Sequence, residues 1–436
     1  MKIAVVGTGH VGLITGATLA GLGNEVVGTD ASADKVAMLR RGEAPFYEPG
    51  LEELLRTGLS DGNLAFADTI AEAVESAEVV FVCVGRPPVG LGDRSLTAVE
   101  DSAREIARAA TDGVVLVVKS TVPPGTTGRI AKVVRMERPE LDFVAVSSPE
   151  FLREGHAIED TLRPDRFVIG ADDARGFDVL EKLYQPMLDA GVRMIQTDPR
   201  TAELSKLASN SFLASKISFA NSMARVCELA GADVDGVTEI MGADPRIGAA
   251  FLRAGIGYGG YCLPKDIVTL ERIAGRLGYD FGLLREAARV NDESLKAVAR
   301  KVEEAVWNIE GKTVALFGVA FKPETDDVRG APALALAELL LAEGARVVVY
   351  DPMAGDEAGR KLDGLEVAAD PYAAAAGASC VVLCTEWSEF RDLDLTRLKE
   401  AMAQPAMVDG RNLLDPDALV AAGFSYHPVG RAPTGT

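Results

Sequence analysis

At 436 residues the chain exceeds the ~250–300 residues at which a single core stops growing, so two or three domains are expected. Hydrophobic residues make up 48% and charged residues 25%, a globular balance, and five scattered cysteines fit neither a disulfide framework nor a metal site. A formal charge of −20 repels phosphate backbones and argues against nucleic acid as a partner, so an anionic ligand must be met by a local group of cations or helix N-termini.

The chain opens MKIAVVGTGHVG, which reads as a buried strand, a glycine turn and a helix start, with no signal peptide. No apolar run reaches the ~18–20 residues that span a bilayer, so a cytoplasmic protein without a membrane partner is expected. GTGHVG (Gly7, Gly9, His10, Val11, Gly12) matches G-x-G-x-x-G, a weak pattern by itself. It gains weight because it follows a strand and opens a helix, and because the next strand, EVVGTD, ends in Asp30. The glycines let backbone N–H groups approach a pyrophosphate, and a carboxylate at position 30 suits a free ribose 2′-hydroxyl. NAD is favoured over NADP.

Further strands recur in AEVVFVCVG, GVVLVVKST and DFVAVSSPE, separated by helical stretches, as in a parallel sheet with crossovers. From Thr201 the pattern becomes one long alanine-rich helix, and helical sequence continues through Val290. After Gly311 the strand–helix alternation resumes. A strand pair near Gly318 and Asp351 echoes the pair near Gly7 and Asp30 without the full glycine fingerprint, so a different ligand is expected there. The fold expected is α/β, with two Rossmann-like doubly wound domains (1–200 and 301–436) joined by a long central helix and a helical region (201–300).

His10, His156 and His427 are the only histidines, and none lies among other catalytic residue types, so packed or solvated roles suit them. Lys206 and Asn210 are four apart on the long helix and project from one face. On pattern alone, a solvated lysine and a tolerated asparagine fit as well as a pair holding an alkoxide. Cys83, Cys380 and Cys384 lie in apolar strand-like runs and Cys227 on a helix, all positions of small core residues. Cys262 differs. It follows glycines 255, 257, 259 and 260 and precedes Lys265 and Asp266, where an open backbone admits a substrate and cations favour the thiolate. A structural turn with an incidental cysteine is the alternative. A thiolate beside a nicotinamide can trap an aldehyde as a thiohemiacetal and carry it through a thioester to an acid.

The run of motifs resembles the nucleotide-sugar dehydrogenases of the UDP-glucose/GDP-mannose dehydrogenase family over nearly the whole chain. The markers are GTGHVG, YEPGLEELL, STVPPGTT, SPEFLREG, ELSKLASNSF, DPRIGAAFLRAGIGYGGYCLPKD, FKPETDDVRGAP and DGRNLLD. The resemblance implies NAD-dependent, four-electron oxidation of UDP-glucose to UDP-glucuronate, with Cys262 as nucleophile and Lys206 and Asn210 holding the oxyanion. Asp266 would hold or activate water, with Thr121 and Glu150 as a water-binding pair. The NAD turn and Asp30 would be joined as cofactor contacts by Lys35, Arg86, Thr121, Glu154, Lys265 and Arg329. Substrate contacts implied in the first half are Phe151, Leu152 and Glu154, with Lys206 and Asn210. Those implied in the second half are Phe251, Leu252, Tyr258, Gly259 and Cys262, then Phe321, Lys322 and Arg411. Arg246 would reach a partner subunit's site in a homodimer built along the central helix. GDP-mannose or a UDP-N-acetylhexosamine is the alternative substrate, and a non-catalytic sugar-nucleotide binder the alternative class. Three departures stand out: Tyr261 replaces the usual Ser or Thr before the cysteine, Arg86 replaces a Thr in CVGRPP, and Gly330-Ala331 replaces a charged residue and serine.

Overall fold

The computed structural model describes residues 1–85, 88–89 and 93–435, which form two compact units, Met1–Ser209 and Asn210–Thr436. Arg86 lies outside the described residues. Both units are α/β and doubly wound, as expected.

In the first unit the strand Lys2–Val6 lies inside an eight-stranded sheet. One side continues with Glu25–Thr29 and Leu64–Ala67. The other continues with Val79–Val82, Val114–Val118 and Phe143–Ser147, all parallel. Arg166–Ala171 then joins antiparallel, and Arg193–Thr197 pairs with it in parallel. Alternation along the first strand explains why helices cover both faces. Ile3 and Val5 face a cluster with Leu13, Ile14 and Ala17 of the helix His10–Gly21. Ala4 and Val6 face another with Val99, Ala103 and Ile106 of the helix Thr97–Ala109. A strand buried on both faces must be apolar throughout, as AVV is. The order of the first six strands puts a topological switch point between Lys2–Val6 and Val79–Val82, where doubly wound sheets bind ligands.

The helix Pro199–Ala230 runs for 32 residues. Its start is fixed by Asp198, whose Oδ1 accepts from Thr201 N at 3.0 Å and whose Oδ2 accepts from the Thr201 hydroxyl. No helix among the described residues is long and apolar enough to cross a membrane.

The second unit holds a six-stranded, all-parallel sheet in the same kind of order: Leu365–Val367, Arg346–Tyr350, Thr313–Phe317, Cys380–Leu383, Ala406–Asp409 and Ser425–Pro428. Its counterpart of the first unit's glycine turn is closed. Gly318 has φ +85°, and a Cβ there would lie 2.4 Å from Thr385. The Asp351 carboxylate, at the end of the second strand, already accepts from Val319 N (2.7 Å), Ala320 N (2.9 Å) and Trp387 Nε1 (3.1 Å) through Oδ2. Its Oδ1 accepts from Met353 N and Ala354 N, both at 2.9 Å. No helix starts at this turn, since the next one is Pro332–Ala342. The amides that cradle phosphate in a dinucleotide fold are here spoken for by a carboxylate.

Asp351→Ala should therefore destabilise the protein by about 2–4 kcal/mol, because it strands several buried N–H donors at once. Denaturant melts of the two proteins measure this, and a loss below ~1 kcal/mol would contradict the assignment.

Candidate active site

The first glycine turn is built to receive a dinucleotide. Gly7 sits at φ +93° after the strand, and a Cβ on Gly12 would lie 1.9 Å from the Gly7 carbonyl oxygen. A Cβ on Gly9 would meet nothing within 4 Å, so this position faces open space at the N-terminus of the helix His10–Gly21. Asp30 closes the strand Glu25–Thr29. Its Oδ2 accepts from Thr8 N (2.9 Å), the Thr8 hydroxyl (3.1 Å) and Lys35 Nζ (3.0 Å), and its Oδ1 from Ser32 N (3.1 Å). Burial pushes the Asp30 carboxyl up, but the bonds from Lys35, Ser32 and Thr8 outweigh it and hold the pKa below the ordinary aspartate value. An ionised acceptor at the strand end is what a ribose diol needs. The His10 ring is stacked on Phe46, with ring centroids 4.2 Å apart.

The same unit carries a buried charged cluster. Lys206 Nζ lies 3.1 Å from Glu150 Oε1, and both side chains are almost fully buried. Glu150 Oε2 accepts from Leu152 N at 2.8 Å, which fixes the loop after the strand Phe143–Ser147. The Lys206 ammonium lies 5.3 Å from the Phe151 ring, whose centroid is also 3.9 Å from the Arg166 guanidinium carbon. Lys119, directly after the strand Val114–Val118, is buried as well. Burial holds its ammonium below the usual lysine value; Cys83 and Glu150 act against that and Lys206 adds to it. Thr121 is half-buried on the following loop, and Glu203 sets that loop's far end by accepting from Thr127 N and the Thr127 hydroxyl, both at 2.7 Å, and from Gly125 N. Leu152 and Glu154 are half-buried in the neighbouring loop.

In the second unit Cys262 is exposed and opens the helix Cys262–Arg276, whose N-terminal end favours a negative charge. Cys83, Cys227, Cys380 and Cys384 are buried, and burial pushes the thiols of Cys83, Cys380 and Cys384 up to about 12. Lys265 and Asp266 lie three and four residues after Cys262, on the same helix face. Asp266 is fully buried; Asn210 Nδ2 donates to its Oδ2 at 2.6 Å, and Lys265 Nζ is 2.8 Å from its Oδ1.

The glycines before Cys262 have a different cause from the one read in the sequence. They leave room for other parts of the chain more than for a substrate. A Cβ on Gly255 would lie 2.5 Å from the Gly410 oxygen, one on Gly259 2.2 Å from the Gly330 oxygen, and one on Gly260 2.8 Å from the Phe321 ring. Gly255 N donates to Asn221 Oδ1 at 2.7 Å, and Ile256 N to Gly410 O at 2.8 Å. Asn291 grips Tyr258 on both sides, accepting its N–H at 2.8 Å and donating to its carbonyl at 3.1 Å.

The other second-unit residues are placed as follows. Arg411 donates through Nε to Cys384 O (2.8 Å) and through Nη1 to Gly257 O (3.1 Å), with Glu386 3.2 Å from Nε. Lys322 lies 5.9 Å from the Phe321 ring. Tyr261 is flanked by two cations, with the Arg329 guanidinium carbon 4.8 Å and Lys265 Nζ 5.3 Å from its ring centroid. Arg329 is also forked on Asp327 at 2.6–2.9 Å. Leu252 and Tyr258 are buried, while Phe251 is partly exposed with φ 64°. The Arg246 side chain is 88% exposed and forks onto Asp244.

Family models match three segments: the NAD binding domain of the UDP-glucose/GDP-mannose dehydrogenase family over residues 1–188, its central domain over 200–293 and its UDP binding domain over 315–416. The chain is 43% identical to a UDP-glucose 6-dehydrogenase of Rhizobium meliloti over 435 residues, covering 99% of this chain and 100% of that one. It is 41% identical to one of Bacillus subtilis, covering 99% and 98%. A solved UDP-glucose dehydrogenase from Pyrobaculum islandicum aligns with a TM-score of 0.90 at 39% identity over 99% of this chain and 98% of that one. A UDP-D-ManNAc dehydrogenase from Pyrococcus horikoshii aligns with a TM-score of 0.87 at 29% identity over 99% of each chain.

Sequence reasoning passed over Lys119, Glu203, Asn221 and Asn291. Lys119 had a local signal, a charge directly after VVLVV, and Glu203 lies inside ELSKLASNSF. The two asparagines have none, because the loop they hold lies 34 and 33 residues away in sequence. Asn291→Ala should cut turnover at least tenfold while leaving the dissociation constant for NAD unchanged, since it frees the Tyr258 peptide and loosens the loop that presents Cys262. Steady-state kinetics with direct NAD titration measure both, and parent-like turnover would contradict the positioning role.

Proposed function

Because the chain belongs to the UDP-glucose/GDP-mannose dehydrogenase family and is an NAD-dependent dehydrogenase of nucleotide sugars, we propose that it oxidises UDP-glucose to UDP-glucuronate through Cys262. The observation that carries the mechanism is the contrast among the cysteines: one exposed thiol at a helix start against four buried ones. The choice of sugar is supported by the relatives at 41–43% identity, which are named for UDP-glucose, whereas the UDP-D-ManNAc enzyme stands at 29%.

When bound at the Gly7–Gly12 turn, NAD accepts one hydride per oxidation, so each sugar consumes two NAD. The chain's own residues do the rest. Lys206 and Asn210 hold the sugar's C6 oxygen while it carries negative charge. The Cys262 thiolate bonds to C6 of the aldehyde left by the first oxidation, forming a thiohemiacetal. The second oxidation turns this into a thioester on Cys262. Water held by Thr121, Glu150 and Asp266 then attacks C6, the C–S bond breaks and the thiolate returns. Alcohol and one water thus become carboxylate, with four electrons leaving as two hydrides and the protons released to solvent. Asp30 takes the cofactor's ribose hydroxyls, Lys35, Lys265, Glu154 and Arg329 are further cofactor contacts, and Lys322 and Arg411 meet the nucleotide diphosphate or sugar.

The assembly we infer is a cytoplasmic homodimer along the long helix. Phe212, Phe219 and Val226, spaced by seven, are 67%, 51% and 53% exposed and line one apolar stripe that a second copy would cover.

With NAD in excess and UDP-glucose limiting, two NADH should form per sugar, and Cys262→Ser should form no acid while still binding NAD. One NADH per sugar, or acid from the serine variant at the parent rate, would overturn the thioester route. No turnover of UDP-glucose beside rapid turnover of another sugar nucleotide would overturn the choice of sugar alone.

Asp30→Ala should raise the ratio of kcat/KM for NADP over NAD about tenfold or more, the size of one charge-assisted hydrogen bond exchanged for a repulsion removed. An unchanged ratio would remove Asp30 from the cofactor site.

A further inference from the structure

Glu48, in the YEPGLEELL segment, is a carboxylate whose side chain is only 1% exposed. Its Oε1 accepts from Ala157 N at 2.6 Å, and its Oε2 accepts from Gly155 N at 2.7 Å and lies within hydrogen-bond distance of His10 Nε2, at 3.0 Å. The His10 ring is held from the other side by the Phe46 stack. One buried acid therefore fastens the first residue of the glycine-turn helix to the loop that continues from Glu150, Phe151, Leu152 and Glu154. That loop is closed on itself by Arg153, whose N–H and guanidinium donate to Asp160 at 2.7–2.9 Å. The bonds through Glu48 reach the first residue of the glycine-turn helix, whereas the Arg153–Asp160 pair stays within the loop.

We infer that Glu48 is a positioning residue that couples the two ligand sites of the first unit, so that a dinucleotide on the glycine turn orders the 153–157 loop through His10 and Glu48. The rationale is thermodynamic. A cofactor that restrains His10 restrains Glu48, and Glu48 restrains the Gly155 and Ala157 amides. A sugar nucleotide meeting an ordered loop then loses less entropy on binding, and by linkage it tightens the cofactor by the same factor. The loop's contact with a sugar nucleotide rests on the function proposed above; the ordering by cofactor does not.

The first readout is hydrogen exchange at the Gly155 and Ala157 amides, with and without NADH, in the full-length protein. NADH should slow exchange at both amides roughly tenfold in the parent and leave it unchanged in Glu48→Gln, where a donor replaces one acceptor oxygen. His10→Phe keeps the stack on Phe46 and leaves the carboxylate on its two amides, so it should fold normally and also abolish the NADH effect. The second readout is the dissociation constant of UDP-glucose with and without NADH. It should tighten severalfold in the parent and not in either variant, while kcat at saturation falls less than either KM rises. Parent-like slowing by NADH in both variants, or no slowing in the parent, overturns the inference. If NADH slows exchange in the parent alone but UDP-glucose does not bind, the coupling stands and the proposed substrate falls.

Discussion

The segment that leads into Cys262 rests on backbone packed against backbone with no side chain between. Gly255 lies on Gly410 and Gly259 on Gly330, each so close that a single methyl group would overlap a carbonyl oxygen. Contacts of this kind tolerate no slack, because one added carbon has to displace a peptide rather than a side chain. The loop is then tied by amides from two helices, Asn221 and Asn291, and by Arg411 on the Gly257 carbonyl. The start of the helix Cys262–Arg276, and with it the thiol and Asp266, inherits its place from segments some 70 and 150 residues further along the chain. The segments that anchor it, FKPETDDVRGAP and DGRNLLD, look like ligand-binding motifs and are structural abutments as well.

A second theme is the use of carboxylates as fasteners. Glu203 caps the turn at Gly125 and Thr127, Asp351 fills the silent glycine turn, and Asp409 accepts from Arg411 N, Leu413 N, Leu414 N and the Tyr426 hydroxyl at 2.8–3.0 Å. Each is buried and each takes several N–H or O–H donors, which is the condition for keeping an acid inside a protein. In a chain with formal charge −20, part of the acidic excess is thus internal architecture.

Much of this was legible beforehand, and the exceptions have a common cause. The strand–turn–helix of GTGHVG and the carboxylate at the end of the next strand are local patterns, and the structure places them as read. The contrast between Cys262 and the strand cysteines was legible for the same reason, since apolar neighbours in sequence become apolar neighbours in a sheet. The glycines at 255, 259 and 260 were misread because what they make room for is a distant peptide or ring that no local pattern reveals. Asn221 and Asn291 escaped notice because an amide on a polar-looking helix carries no mark of the loop it holds. Roles such as those of Lys322 and Arg411 came from the family resemblance rather than from spacing.

The disposition of sulfur has a consequence for the protein outside catalysis. With four thiols buried and three of them held near 12, an oxidant or electrophile in the surrounding solution meets one exposed sulfur. A sulfenic acid formed at Cys262 finds no accessible second cysteine in the same chain to condense with, so its repair depends on small thiols or reductases from outside. The arrangement that leaves the protein a single exposed thiol also gives it a single point of redox failure.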